Sequence, residues 1–203
     1  MSRSLSNFRG VFVLLDAGLV VEARVLVRCC YENTFWIAGL HGEGDKFVKK
    51  MLQDEMRSRK ARCELVLSRN FELSEEVEKR LRKQLRTIKK SVLEPRSLDP
   101  KQVALNGMLR DGYLIYTQLS ADSTHPTVTS LHRHVGRSEK EGEVLIDVVP
   151  TPHDHEILQT WDWACNALLG ACTGVNEVLG GAPAGLRLEA VADRYQALAS
   201  RNR

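Results

Sequence analysis

Arg28-x-x-x-Glu32 and Tyr116-x-x-x-Ser120, the latter followed by His125-Pro126, are the side chains here whose types and spacing could do chemistry. Within each pair the residues lie one helical turn apart and share a face. The first pair sits in the apolar run from Val25 to Leu40, where an unpaired charge costs several kcal/mol. The second can answer it, since a phenol and a hydroxyl accept from a guanidinium and an imidazole donates to a carboxylate. Distant parts of the chain are thus expected to build one interior polar centre. If that centre is catalytic, His125 is its acid or base. Arg28 then stabilises developing negative charge beside Glu32, and Tyr116 and Ser120 position the reactant. The same residues also fit a purely structural reading. Arg28 and Glu32 are then an ordinary intrahelical ion pair in the less favourable order, with Arg24 on the same face and Asn33 alongside. The cluster would then only fix helix register, with His125 a helix-end histidine. Both readings stand on the residues alone.

Other constellations carry less. His132/His134 and His153/His155 have the alternation that points two side chains to one side of a strand, which would suit a metal hydrolase. Spacing is their only support, and at a helix start alternate positions diverge by roughly 200°, so no metal or cofactor is assigned. Trp36 and Trp161-Asp162-Trp163 read as core or interface aromatics. Gly42-Glu-Gly44-Asp-Lys46 lacks the pattern of a phosphate loop, and no Ser-His-Asp order or paired-carboxylate motif occurs.

The 203 residues can bury one core, and 43% hydrophobic with 27% charged residues describes a globular chain with no fibrous or disordered bias. A net charge of +3 does not by itself argue for nucleic acid. The basic residues concentrate between Lys46 and Lys90, a face that is either solvated surface or a site for RNA or another polyanion. Five cysteines without a C-x-x-C pair suit reduced thiols in a cytoplasm. Asp16, Glu22, Arg24 and Arg28 interrupt the apolar N-terminal sequence before it reaches about 18 uncharged residues, so neither a targeting segment nor a membrane span is expected.

These side chains must be positioned by helices. Leu5 to Leu40 is apolar nearly all round a helical wheel, as in a helix buried within a bundle, with Gly18 marking a bend or a close crossing. Asp45 is expected to cap a second helix through Ser68. Ser74 opens a third, acidic in its first turn and basic in its last, with Val77, Leu81, Leu85, Ile88 and Val92 as a stripe. Asp99-Pro100 starts a helical pattern that runs to Leu119, and His125-Pro126 ends it. Thr127–Val135 and Val144–Val149 are rich in β-branched residues, so 127–149 is expected to be a small hairpin or a long loop. A helix over His153–Leu179, a glycine-rich break and a last helix over 186–203 complete a single α-helical domain, 1–203. The last helix covers the bundle or meets a partner.

Leu14-Leu15-Asp16-Ala17-Gly18, Glu22-Ala23-Arg24-Val25-Leu26-Val27-Arg28-Cys29-Cys30-Tyr31-Glu32-Asn33, Tyr116-Thr-Gln-Leu119-Ser120 and His125-Pro126 resemble the bacterial domain-of-unknown-function family 5677. Its members carry a similar Ala-x-x-Leu-x-Arg-x-x-x-Glu helix and a Tyr-x-x-Leu-Ser followed by His. That family is in turn similar to the HEPN (higher eukaryotes and prokaryotes nucleotide-binding) helical domains, many of which are RNases. The resemblance implies a helical bundle, often a homodimer, acting in RNA cleavage or binding in a stress or defence role. HEPN nucleases use an Arg and a His a few residues apart at one helix end, and no such pair occurs here. Arg133 and His134 are adjacent, and Arg110 is too far before His125. Metal-independent cleavage would therefore need Arg28 and His125 brought together from separate helices. The alternative is a non-catalytic binding or regulatory module.

Overall fold

The computed structural model describes residues 1–69, 71–91, 93–106, 109–123, 127–137, 144–183 and 185–201. Over these the chain is a mainly α-helical bundle with one small two-stranded sheet. The helices are α1 (Ser2–Asp16), α2 (Val20–Glu43), α3 (Asp45–Ser68), α4 (Glu75–Lys89), α5 (Pro100–Asn106), α6 (Arg110–Ser123), α7 (Val128–His132), α8 (Asp154–Val178) and α9 (Gly185–Arg201). Strands β1 (Val135–Arg137) and β2 (Val144–Ile146) lie between α7 and α8 and pair antiparallel, Val135 opposite Ile146. The chain forms two compact units, one of residues Met1–Gly42 with Val103–Arg203, the other of Glu43–Gln102.

In the larger unit the apolar stretch expected as one bent helix is two. Gly18, at φ +74°, donates to Leu15 O at 3.0 Å while Leu19 donates to Leu14 O at 2.8 Å, the paired bonds of a Schellman ending. A left-handed glycine there stops α1 outright, where helix propensity alone counts it as a loss of about 1 kcal/mol. Helix α2 restarts two residues later and buries Val20, Ala23, Val27, Cys30, Thr34 and Ile37, spaced by threes and fours, with Tyr31 and Phe35 beside them.

Helix α8 meets α2 through small residues. Ala164, Ala167 and Ala171 are buried, and a Cβ on Gly174 would lie 2.7 Å from Ile37 Cγ2, so only glycine admits this approach. Thr34 Oγ1 donates across the gap to Ala167 O at 2.9 Å. Helix α1 packs on α8 with Phe8 and Phe12 edge-on to Trp161, α9 packs on α8, and α7 packs on α6. Tyr116, Leu119, Trp163 and Phe35 close the core.

Three local expectations are corrected. The helical pattern from Pro100 is divided into α5 and α6. Thr127–His134 is no strand: Thr127 Oγ1 accepts from Ser130 N at 3.1 Å and Ser130 Oγ accepts from Thr127 N at 2.9 Å, a capping box that starts α7 and overrides the β-branched composition. The hairpin therefore begins only at Val135. Asp45 is the first residue of α3 and not its cap, which is Gly44 at φ +53°, because α2 runs on to Glu43.

The smaller unit pairs α3 with α4. Ser74 caps α4 by accepting from Val77 N at 3.4 Å. Ile88 of the expected stripe is buried, as are Cys63 and Phe47 of α3. The segment after α4 returns along α3, Leu98 N donating to Asp54 Oδ1 at 2.9 Å.

Candidate functional site

Arg28, Glu32, Tyr116 and Ser120 come together in the larger unit. Arg28 projects from α2 towards α6, its Nε donating to Ser120 Oγ at 2.8 Å and its Nη2 to Tyr116 OH at 2.6 Å. Its guanidinium carbon lies 4.6 Å from the centre of the Tyr116 ring, within cation–π range. Ser120 gives its own proton to Tyr116 O at 2.8 Å, which leaves oxygen lone pairs to receive Arg28. Glu32 Oε2 stands 3.6 Å from Arg28 Nη1. His125 lies outside the described residues.

One turn earlier on α2, Arg24 enters a second and deeper cluster. Its Nε donates to Thr160 Oγ1 at 3.1 Å and its Nη2 to Gln159 Oε1 at 3.1 Å, while Nη1 donates to Asp122 Oδ2. Asp122 also accepts from Arg133, Nη2 to Oδ1 at 3.0 Å, so one carboxylate joins two guanidiniums. Glu156 Oε1 receives Arg133 Nη2 at 3.3 Å and stands 3.8 Å from Arg24 Nη1. Glu156 Oε2 accepts from His153 N at 3.2 Å, which ties the network to the first turn of α8. Trp163 lies beneath Arg24, 5.5 Å from guanidinium to ring centre. Arg133 Nε is buried without a hydrogen-bond partner among the described residues.

The sequence marks Arg24 by its face on α2 but not its partners. Asp122 lies only two residues beyond Ser120, and Glu156 and Thr160 share one face of α8, yet nothing local pairs either with Arg24. Arg133 sits in the stretch whose composition suggests a strand and is in fact the C-cap of α7. Together Arg24, Arg28 and Arg133 face Asp122, Glu156 and Glu32, three cations against three carboxylates. Among the described residues charge is balanced inside the cluster. Cys30, a nearby thiol, is no nucleophile: burial, then the adjacent Cys29, pushes it up to about 12.

The histidine pairs do not converge on a metal centre. His132 ends α7 and His134 follows it, its Nδ1–H donating to Asp147 O at 2.9 Å. His153 and His155 stack at 5.4 Å, and among the described residues no three His, Cys, Asp or Glu side chains gather around a cation site. No helix of the described residues is long and apolar enough to cross a membrane.

The smaller unit carries the basic face. It has 17 Lys and Arg against 11 Asp and Glu, and its carboxylates are engaged by near neighbours: Glu55 by Arg59, Glu75 by Lys79, Glu78 by Arg82. Lys46, Lys49, Arg80, Lys83, Lys89 and Lys90 have no ion-pair partner among the described residues. Between α3 and α4 a groove of about 520 Å³ has Met56 and Ile88 on its wall with Arg59, Arg80 and Lys83 beside them.

No match to the chain was found among curated proteins or among solved structures. A family model does match, over residues 1–143, and its description is a family of unknown function, DUF5677. The matched span takes in both polar α2 residues, the α3–α4 pair and the α6 Tyr-x-x-x-Ser, and it covers well over half of the sequence: the chain belongs to the DUF5677 family.

Proposed function

We propose that this protein binds single-stranded RNA through the α3–α4 pair, and that the arginine–carboxylate network of the larger unit is a non-catalytic scaffold. The observation that carries the reading is the surplus of unpaired cations along α3 and α4, with Arg80 and Lys83 beside an apolar-walled groove. Phosphates neutralise such cations, and the apolar wall accepts the face of an unstacked base, which a duplex does not offer. Among the described residues the donors of Arg24 and Arg28 are already met by Asp122, Gln159, Thr160, Ser120 and Tyr116.

Fluorescence anisotropy of a labelled single-stranded RNA across a salt series tests this. The expected result is binding whose logarithmic affinity falls linearly with log salt, with a slope of about −0.7 for each phosphate neutralised. Absence of binding at low salt contradicts it. RNA fragmentation in EDTA by wild type, lost in His125→Ala, would instead place metal-independent cleavage at Arg28 and His125.

A further inference from the structure

A second concavity lies in the larger unit and meets the arginine network only at Trp163, whose ring also lies beneath Arg24. A cleft of about 690 Å³ runs between α6, α8 and α9 and is walled by Ile115, Trp163 and Leu169 on its apolar side and by Asp162, Asn166 and Tyr195 on its polar side. It shares Asn166 and Gly170 with a smaller cavity of about 160 Å³ that reaches Tyr31, Phe35 and Asp111. The larger volume falls in the range of small-molecule sites, and its walls are polar and apolar in about equal parts.

Those polar groups are held in fixed directions. Tyr31 OH donates to Asn166 Oδ1 at 3.2 Å and Tyr195 OH donates to Asp162 Oδ1 at 2.7 Å. Asp162 Oδ2 and a second lone pair on Asn166 are left facing acceptor duty. Among the described residues no Lys, Arg or His lines either space. The contrast with the rest of the unit is informative. Asp122, Glu156 and Glu32 each meet an arginine, whereas the solvent-exposed Asp162 and Asp111 have no cation partner among the described residues. Aromatic rings, which attract a cation over their faces, line both spaces: Tyr195 in the cleft, Tyr31 and Phe35 in the cavity.

We propose that this cleft binds a small organic amine, its ammonium on the Asp162 carboxylate and its apolar body against Ile115, Trp163 and Leu169. The cleft excludes anions through its Asp162 carboxylate. It discriminates against neutral isosteres because they leave Asp162 without its counter-charge. It is independent of RNA binding by the smaller unit, since the two use different residues.

Isothermal titration of the full chain with phenethylamine, 2-phenylethanol and phenylacetate tests the proposal. The expected order is measurable binding of the amine, at least tenfold weaker binding of the alcohol, and none of the acid. Asp162→Asn should weaken the amine at least tenfold. Ala192→Trp, which fills the cleft from α9, should abolish binding. Because Asp162 also anchors α9 through Tyr195, Tyr195→Phe is the control: it removes that anchor but keeps the carboxylate, and it should bind the amine within about threefold of wild type. No amine binding by wild type, equal binding of amine and alcohol, or undiminished binding by Asp162→Asn each overturns the proposal.

Discussion

The carboxylate of Asp122 on α6 receives the guanidinium of Arg24 on α2, two residues 98 apart in the chain, in the interior of the larger unit. Arg133 shares the same carboxylate. Removing it leaves two guanidiniums facing each other with only Glu156 between them. Asp122→Ala should therefore cost about 3–5 kcal/mol of unfolding free energy, the usual effect of breaking a buried pair from one side. Chemical denaturation with a double-mutant cycle checks this: Arg24→Met combined with Asp122→Leu should be less destabilised than the sum of the single changes. Additive losses would show that the two side chains do not act on each other.

Depth separates the two arginines of α2. The Arg24 side chain is 8% exposed and that of Arg28 is 21%, so the partners Arg24 leaves behind are the less able to turn to water. Arg24→Ala is expected to cost about 3 kcal/mol or more, and Arg28→Ala about 1–2 kcal/mol. Denaturant midpoints rank them, and the reverse order would argue against a structural role for the deeper cluster.

The α2–α8 crossing makes a steric prediction. A methyl at Gly174 meets the β-branched Ile37 at 2.7 Å, and Cγ2 of Ile37 cannot swing aside without leaving its rotamer. Gly174→Ala should destabilise by about 1–3 kcal/mol through overpacking, despite the gain in helix propensity of up to about 1 kcal/mol. Gly42, near the end of α2, has nothing within 4 Å of the same methyl. Gly42→Ala should thus be neutral or stabilising by up to about 1 kcal/mol, and thermal melts of the two variants should diverge in sign.

The Cys30 thiol gives the fold an alkaline limit. Its ordinary value is 9.0, and in the folded chain burial, then Cys29, pushes it up to about 12. A raised folded value means the native state holds the proton that the unfolded chain releases. The associated stability is complete below pH 9 and declines from there towards pH 12. Tyr31 and Tyr195, raised chiefly by burial, add to the loss above their ordinary value of 10.0. The melting temperature should fall steeply between pH 9 and 11, and Cys30→Ala should flatten the first part of that fall. Equal slopes for variant and wild type would contradict it.

Much of the scaffold is legible in the residues. Ser74 with Glu75, Glu76 and Glu78, then Leu81 and Ile88, mark α4 because capping, dipole and apolar spacing agree locally. Arg28, Tyr116 and Ser120 are legible as one cluster because each is a polar group in apolar helical sequence and so needs a partner. What escapes local reading is pairing at long range. Asp122, Arg133, Glu156 and Thr160 each look like ordinary surface residues until α6, α7 and α8 are set around α2. Helix α7 is hidden for the opposite reason: Val128 and its β-branched neighbours favour extended chain, and the Thr127–Ser130 capping box outweighs them.

The proposed function divides the labour, with anion binding expected of α3–α4 and only a framework role expected of the α2–α6–α8 network. The most direct test measures single-stranded RNA affinity for wild type, Arg80→Glu with Lys83→Glu, and Arg28→Gln. The predicted result is at least a tenfold loss and a shallower salt slope for the charge-reversed pair, with Arg28→Gln within about threefold of wild type. RNA binding that survives reversal of Arg80 and Lys83 but is lost with Arg28→Gln would contradict it.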